Sequence, residues 1–164
     1  MRNLIAFPLI GLAVILQSSV VSQVKLLSGY ADLPIVLIAA WALQERVDSS
    51  WHWGALTCLF TGFISSMPVA VVIAGYFGVV FFARVLQRRV WQAPLLAMFS
   101  VVFLGTLFFQ TLSFIVLSFS GTPFAFGDVM SLITLPSLLL NMLLAIPIYA
   151  FMRDVSYWVY PVEE

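Results

Sequence analysis

Long apolar runs separated by short charged segments dominate the chain. A helix needs roughly 20 residues, at a rise of about 1.5 Å each, to cross the hydrocarbon core of a bilayer. Apolar runs of about that length occur at residues 4–21, 93–119 and 132–152. A run at 26–43 also qualifies if Asp32 lies near its outer end, because its uncharged part alone is too short to cross. This pattern predicts membrane-spanning helices.

The uncharged run at 51–83 is too long for one helix. At helical rise it would extend about 50 Å, whereas the hydrocarbon core is about 30 Å thick. The segment Ser65-Ser66-Met67-Pro68 offers a break, since proline lacks an amide proton and disfavours helix in the residue before it. Two spans at about 52–65 and 68–84 fit better. The chain is therefore predicted to be an all-α integral membrane protein, one membrane domain over 1–164 with six transmembrane helices.

Charge predicts that both termini lie in the cytoplasm. Lys and Arg close to short loops favour the cytoplasmic side of a membrane. Six spans that begin inside leave only Lys25 outside, whereas five spans leave both Arg2 and Arg46 outside. The distribution favours six spans in an N-in, C-in orientation.

The tryptophans support the same topology. Trp prefers the headgroup level of a bilayer, where its polar edge stays wet. Five tryptophans fall next to the predicted cytoplasmic ends of spans: Trp41, Trp51, Trp53, Trp91 and Trp158. We expect them to form an interfacial belt that anchors the protein from the inside.

Composition excludes several classes of protein. Hydrophobic residues make up 63% of the 164 residues and charged residues 9%, against about 25% charged in ordinary soluble domains. The formal net charge is +0, so no basic face indicates nucleic-acid binding. Cys58 is the single cysteine, which leaves no partner for a disulfide or a zinc site. No metal or cofactor is expected.

The sequence carries no recognisable catalytic motif. The patterns GxxxxGK[ST], GxSxG and HExxH are all absent, and His52 stands between two tryptophans without a His or Cys at ligand spacing. An enzyme needs a convergent set of groups, and no Asp, Glu, Lys or Arg is expected deep in any span. The chain is therefore predicted not to be an enzyme.

Three amide side chains are the polar candidates inside the spans. Gln17 and Gln110 are predicted about 6 to 8 Å to the outer side of their span midpoints, and Asn141 nearly at its midpoint. One interpretation is interhelical hydrogen bonding, which contributes about 0.6 kcal/mol per bond in lipid. The other is the floor of a pocket that opens to the outside.

The densest basic patch has two interpretations. It consists of Arg84, Arg88 and Arg89, followed by Trp91. Basic residues near the surface attract anionic lipid by about 1 kcal/mol each, so the patch can simply determine topology. Alternatively it docks a cytoplasmic protein partner.

An ordered set of short segments runs through most of the chain. The segments are Leu16-Gln17-Ser18-Ser19, Ala31-Asp32-Leu33-Pro34, Trp41-Ala42-Leu43, Gly54-Ala55-Leu56, Gly62-Phe63, Ser66-Met67-Pro68, Gly75-Tyr76-Phe77-Gly78, Arg88-Arg89-Val90-Trp91, Gly105-Thr106-Leu107, Leu135-Pro136-Ser137-Leu138-Leu139-Leu140-Asn141 and Ile146-Pro147-Ile148-Tyr149. In this order and spacing they resemble the MreD family of bacterial rod shape-determining proteins. One departure is Gly62-Phe63-Ile64-Ser65-Ser66, where the family often has an acidic residue in a "GLxxD" setting.

The resemblance implies a multi-pass protein of the bacterial cytoplasmic membrane that acts as a non-catalytic scaffold in cell elongation. Its implied partners are membrane lipid, the single-pass protein MreC, RodA with a class B penicillin-binding protein, and indirectly the MreB filament. It also implies a fold similar to the substrate-binding S components of energy-coupling factor vitamin transporters, which are six-helix bundles.

A vitamin-binding S component is the alternative function. It requires an outer-half pocket around Gln17, Gln110 and Asn141. Against it, the first span lacks the AxxxA pattern that S components use for docking, because Ile10 stands four residues after Ala6.

Overall fold

The computed structural model describes residues 2–88, 93–121 and 125–161. The α-helices of this part are α1 (Ala6–Ser19), α2 (Leu33–Ala42), α3 (Ser50–Ile64), α4 (Val69–Gln87), α5 (Pro94–Phe119), α6 (Phe126–Val129) and α7 (Leu135–Val159). Short 3-10 turns cover Arg2–Ile5 and Val21–Gln23, and a π-helical turn, Met130–Thr134, joins α6 to α7. Strands β1 (Lys25–Leu26) and β2 (Gly29–Tyr30) form an antiparallel ribbon.

Within the described residues, four helical stretches are long and apolar enough to cross a membrane. They are Ala6–Gln23, Val69–Gln87, Pro94–Phe119 and Phe126–Val159. The chain is an all-α, multi-pass membrane protein. The ten residues of α2 and the fifteen of α3 rise only about 15 and 22 Å, less than a hydrocarbon core of about 30 Å. Helix length therefore supports four crossings, two fewer than the sequence predicts.

The short helix α2 forms the centre of the bundle. All ten of its residues are buried, and it packs against α1, α3, α4, α5 and α7. A helix that is apolar on every side is stable only when it is surrounded, and the indole nitrogen of Trp41 is the one polar side-chain atom of Leu33–Ala42. The predicted span at 26–43 is wrong in its first part, because the chain before Asp32 folds as the ribbon.

Local chemistry sets the start of α2. The carboxylate of Asp32 accepts a hydrogen bond from the amide of Ile35 at 3.1 Å, and Pro34 occupies the first turn. An acidic N-cap with an early proline is a strong helix start, and such a cap contributes about 1 kcal/mol. At the other end, the side chain of Gln44 donates to the carbonyl of Ala40 at 3.0 Å.

The ribbon docks on the beginning of α7. The amide of Ser28 donates to the carbonyl of Leu132 at 3.0 Å, and the amide of Tyr30 donates to Oγ of Ser137 at 3.2 Å. Gly29 is buried between them, and a Cβ there would lie 2.6 Å from the carbonyl oxygen of Ile133. Only glycine allows the ribbon to approach this closely.

The predicted break between the third and fourth helices is present. α3 ends at Ile64 and α4 begins at Val69, with the amide of Met67 donating to Oγ of Ser65 at 3.1 Å. α4 then packs closely on α5, where a Cβ at Gly75 would overlap the ring of Phe109.

The predicted tryptophan belt is wrong for two of its members. Trp41 and Trp53 are 1% and 0% exposed, and their rings stack with centroids 4.0 Å apart. Both lie in the core because α2, which carries Trp41, is enclosed by protein rather than by headgroups. Trp51 and Trp158 are exposed, and Trp91 lies outside the described residues.

Candidate functional site

A cavity of about 450 Å³ lies at the N-terminal end of α2. We call it the Asp32 cavity. Helices α1, α3, α4, α5 and α7 all contribute to its wall. Hydroxyl groups of Ser18, Ser22, Ser65 and Ser66 lie at the chain segments where α1 ends and α3 turns into α4.

Asp32 places a carboxylate inside the bundle. Its Oδ1 caps α2 and lies 3.3 Å from the hydroxyl of Tyr76, which donates to it. Its backbone amide donates to Oδ1 of Asn141 at 2.6 Å. Asn141 is close to the middle of the predicted last span, so Asp32 lies level with that middle. The prediction that no charged residue lies deep in the spans is therefore wrong, because α2 begins partway through the bundle.

Asn141 joins three helices through its buried amide. Besides accepting from the amide of Asp32, its Nδ2 donates to Oγ1 of Thr106 at 2.9 Å. The two bonds tie the start of α2 to α5 and α7. Asn141 is 1% exposed, so both polar ends of its side chain are satisfied without water.

Gln17 holds the backbone on the other side of Asp32. Its Nε2 donates to the carbonyl of Ala31 at 2.8 Å, and its Oε1 accepts from the amide of Leu33 at 2.8 Å. The two bonds clamp the entry to α2 from α1. They satisfy backbone groups that an apolar environment would otherwise leave unpaired.

Gln110 differs from the other two amides. It also lines the Asp32 cavity, but its side chain has no hydrogen-bond partner among the described residues. The structure thus brings Gln17, Gln110 and Asn141 around one cavity and gives them different roles. Gln17 and Asn141 bond to the backbone around Asp32, whereas Gln110 lines the cavity without a described hydrogen bond.

The electrostatic character of the cavity follows from one side chain. Of the described residues that line it, Asp32 alone carries a charge, and no lysine, arginine or histidine faces it. Aromatic surface comes from Tyr30, Tyr76 and Phe109, with the last two ring centroids 5.6 Å apart. The wall combines a carboxylate, hydroxyl and amide groups, and aromatic rings.

Sequence reasoning missed Asp32 and Tyr76 as site residues. The signal for Asp32 was its position before Leu33-Pro34, which is the pattern of a helix N-cap rather than of a residue inside a span. Tyr76 carried no comparable signal, because a tyrosine in an apolar helix is usually a packing residue.

The basic patch is only partly available to a partner. The guanidinium of Arg84 donates to the carbonyl of Val47 at 2.7 Å and to Oε1 of Gln87 at 3.1 Å. Arg84 therefore ties α4 to the loop after α2, and its role as a partner or topology contact stays a prediction. Arg88 is exposed, and Arg89 and Trp91 lie outside the described residues.

A second cavity, of about 280 Å³, lies at the C-terminal end of α2. Its wall includes Gln44, Arg46, Tyr149 and Arg153. The guanidinium carbon of Arg46 lies 4.8 Å from the centroid of the Tyr157 ring, a cation–π distance. We call this the Gln44 cavity.

Comparison of the chain with protein-family models, curated proteins and solved structures gives no match. The resemblance to the MreD family and the likeness to the S-component fold therefore stay predictions.

Proposed function

We propose that this chain is a non-catalytic membrane scaffold of the bacterial cell-elongation machinery, similar to MreD. In this role it has six spans in the cytoplasmic membrane, with both termini inside, and holds an MreC-like single-pass protein. RodA, a class B penicillin-binding protein and, indirectly, the MreB filament are the further partners.

One observation carries the proposal. The segments that resemble the MreD family are scattered along the chain, yet one residue from each of five segments meets in a single hydrogen-bonded cluster. Asp32, Tyr76, Thr106 and Asn141 are linked directly, and Gln17 joins them through the backbone of Ala31 and Leu33. Apolar helices converge easily in composition, but chance similarity has no reason to select residues that meet around the start of one helix. The cluster supports a resemblance in fold.

The outer surface is suited to a scaffold that acts through packing. Large apolar side chains remain exposed along the long helices, among them Phe7, Leu12 and Ile15 on α1 and Leu139 and Leu143 on α7. In lipid, helices associate through van der Waals contact and shape rather than through exclusion of water. A partner helix can therefore dock on such a face. The scaffold then acts by stabilising the conformation of the partner that it binds more tightly.

Co-purification tests the scaffold. The chain, carrying an affinity tag, is expressed in membranes together with the MreC-like protein of the same bacterium. The control is a single-pass protein of similar length with an unrelated helix. We expect the MreC-like protein, and not the control, to remain bound in mild detergent. Equal recovery of the two, or recovery of neither, would count against the proposal.

The Asp32 cavity favours a second candidate function, small-molecule binding in the manner of an S component. Its volume of about 450 Å³ is in the range of ligand pockets, and its polar groups are few and convergent. Titration of the purified chain with a panel of water-soluble vitamins tests this function. A flat response to every vitamin would remove it.

A further inference from the structure

The carboxylate of Asp32 has no cationic partner in the described structure. It accepts from the amide of Ile35 and from the hydroxyl of Tyr76, and no basic side chain forms an ion pair with it. The contact between Oδ2 and the Tyr76 hydroxyl is 3.5 Å, which is long for a hydrogen bond. Oδ2 therefore retains acceptor capacity, on a residue that lines the cavity.

An isolated carboxylate among membrane helices is costly. Such residues are rare and usually mark a binding or transport function, because an unpaired charge in a low-dielectric interior loses its hydration. The N-terminal end of α2 offsets part of this cost through its partial positive charge of roughly half a unit. A cation that enters the cavity would offset the remainder.

The cavity is built for a cation with an apolar body. Its volume of about 450 Å³ far exceeds the space of a bare metal ion. Tyr30, Tyr76 and Phe109 line the same cavity as the carboxylate, and aromatic faces attract organic ammonium groups. Gln110, which has no hydrogen-bond partner among the described residues, adds an amide side chain to the cavity wall.

We propose that the Asp32 cavity binds a small organic cation, an ammonium ion attached to an aromatic or aliphatic body. The ammonium group donates to the Asp32 carboxylate, and the apolar body lies against the aromatic part of the cavity wall, to which Tyr30 and Phe109 contribute. This inference rests on the second candidate function, for which it names the ligand class, and it is independent of the scaffold proposal.

A matched pair of probes tests the charge requirement. Tyramine and tyrosol share the same hydroxyphenyl-ethyl body and differ in carrying an ammonium or a hydroxyl group. Isothermal titration of the purified full chain in detergent measures both affinities. We expect tyramine to bind roughly tenfold tighter than tyrosol, because charge-assisted hydrogen bonds are about twice as strong as neutral ones.

Two variants locate the site. Asp32→Asn keeps an oxygen to cap α2, since Asn is as good an N-cap as Asp, but removes the charge. Asp128→Asn removes an exposed carboxylate that does not line the cavity. We expect Asp32→Asn to bring tyramine to the affinity of tyrosol and Asp128→Asn to leave both unchanged. If Asp32→Asn does not fold, equal affinities of the two probes for the unaltered chain still overturn the proposal, and Asp32→Glu, which keeps the charge but moves it, replaces Asp32→Asn as the test of the site.

The possible outcomes distinguish a failure of the cation proposal from a failure of small-molecule binding. Equal binding of tyramine and tyrosol overturns the cation proposal and leaves small-molecule binding in place. Absence of binding by both probes also overturns it, while the vitamin panel tests small-molecule binding separately. A tyramine preference that survives Asp32→Asn places the cation elsewhere and overturns the site.

Discussion

At the residue scale, two glutamines of the same cavity have different roles. Gln17 makes two hydrogen bonds of 2.8 Å to the backbone on either side of Asp32, whereas Gln110 has no partner among the described residues. A polar residue inside an apolar run could be recognised in the sequence as significant. Which backbone group each amide reaches depends on how the helices pack, and the sequence does not carry that information locally.

The two glutamines make a matched experiment. Gln17→Leu leaves the carbonyl of Ala31 and the amide of Leu33 without their partner, so we expect it to lower the free energy of unfolding by about 1–3 kcal/mol. Gln110→Leu breaks no described hydrogen bond, so it should change the free energy of unfolding by less than about 0.5 kcal/mol. Unfolding of the purified chain in mixed detergent micelles measures both. Equal losses would contradict the assigned roles.

At the element scale, some features follow from the local sequence and others depend on contacts far along the chain. The helix break at Ser65–Pro68 could be predicted because proline acts on its own backbone and on its neighbour. The ribbon before α2 could not, since it is held by Leu132 and Ser137, more than one hundred residues away. A two-stranded ribbon of this length is unstable alone. The ribbon therefore depends on its docking against the start of α7.

The docking of the ribbon on α7 is tested by two alanine substitutions. Gly29→Ala would place a Cβ 2.6 Å from the carbonyl of Ile133 and 2.8 Å from the amide of Ser137, and neither backbone group can move cheaply. We expect a loss of about 1–3 kcal/mol in the free energy of unfolding. Gly11→Ala, in α1, meets nothing within 4 Å and should be neutral or stabilising by up to about 1 kcal/mol. Unfolding in detergent micelles measures both, and a tolerated Gly29→Ala would show that the ribbon is not closely docked.

At the scale of the whole molecule, membrane topology is the open prediction. Charge and hydropathy predict six spans, while helix length in the described residues supports four. The difference lies in α2 and α3, which are too short to cross alone; α2 is short because the chain before Asp32 folds as the ribbon. Hydropathy counts apolar residues equally whether they face lipid or protein, so the sequence could predict the apolar character of Leu33–Ala42 but not its enclosure.

Cysteine labelling tests the topology. Ser65→Cys and Arg88→Cys introduce thiols at opposite ends of α4, at exposed positions. We expect a membrane-impermeant maleimide to label Ser65→Cys on intact cells and Arg88→Cys only after the membrane is opened. The parent chain serves as the control, because Cys58 is buried. Labelling of both variants on intact cells would contradict the predicted orientation.

The enclosure of α2 between the Asp32 cavity and the Gln44 cavity has an electrical consequence. Only about 15 Å of protein separates the two cavities along this helix, about half of an ordinary hydrocarbon core. Water in both cavities would concentrate the membrane potential across α2, which amounts to about 2.3 kcal/mol per unit charge at 100 mV. α2 would then act as the insulating layer between the two cavities.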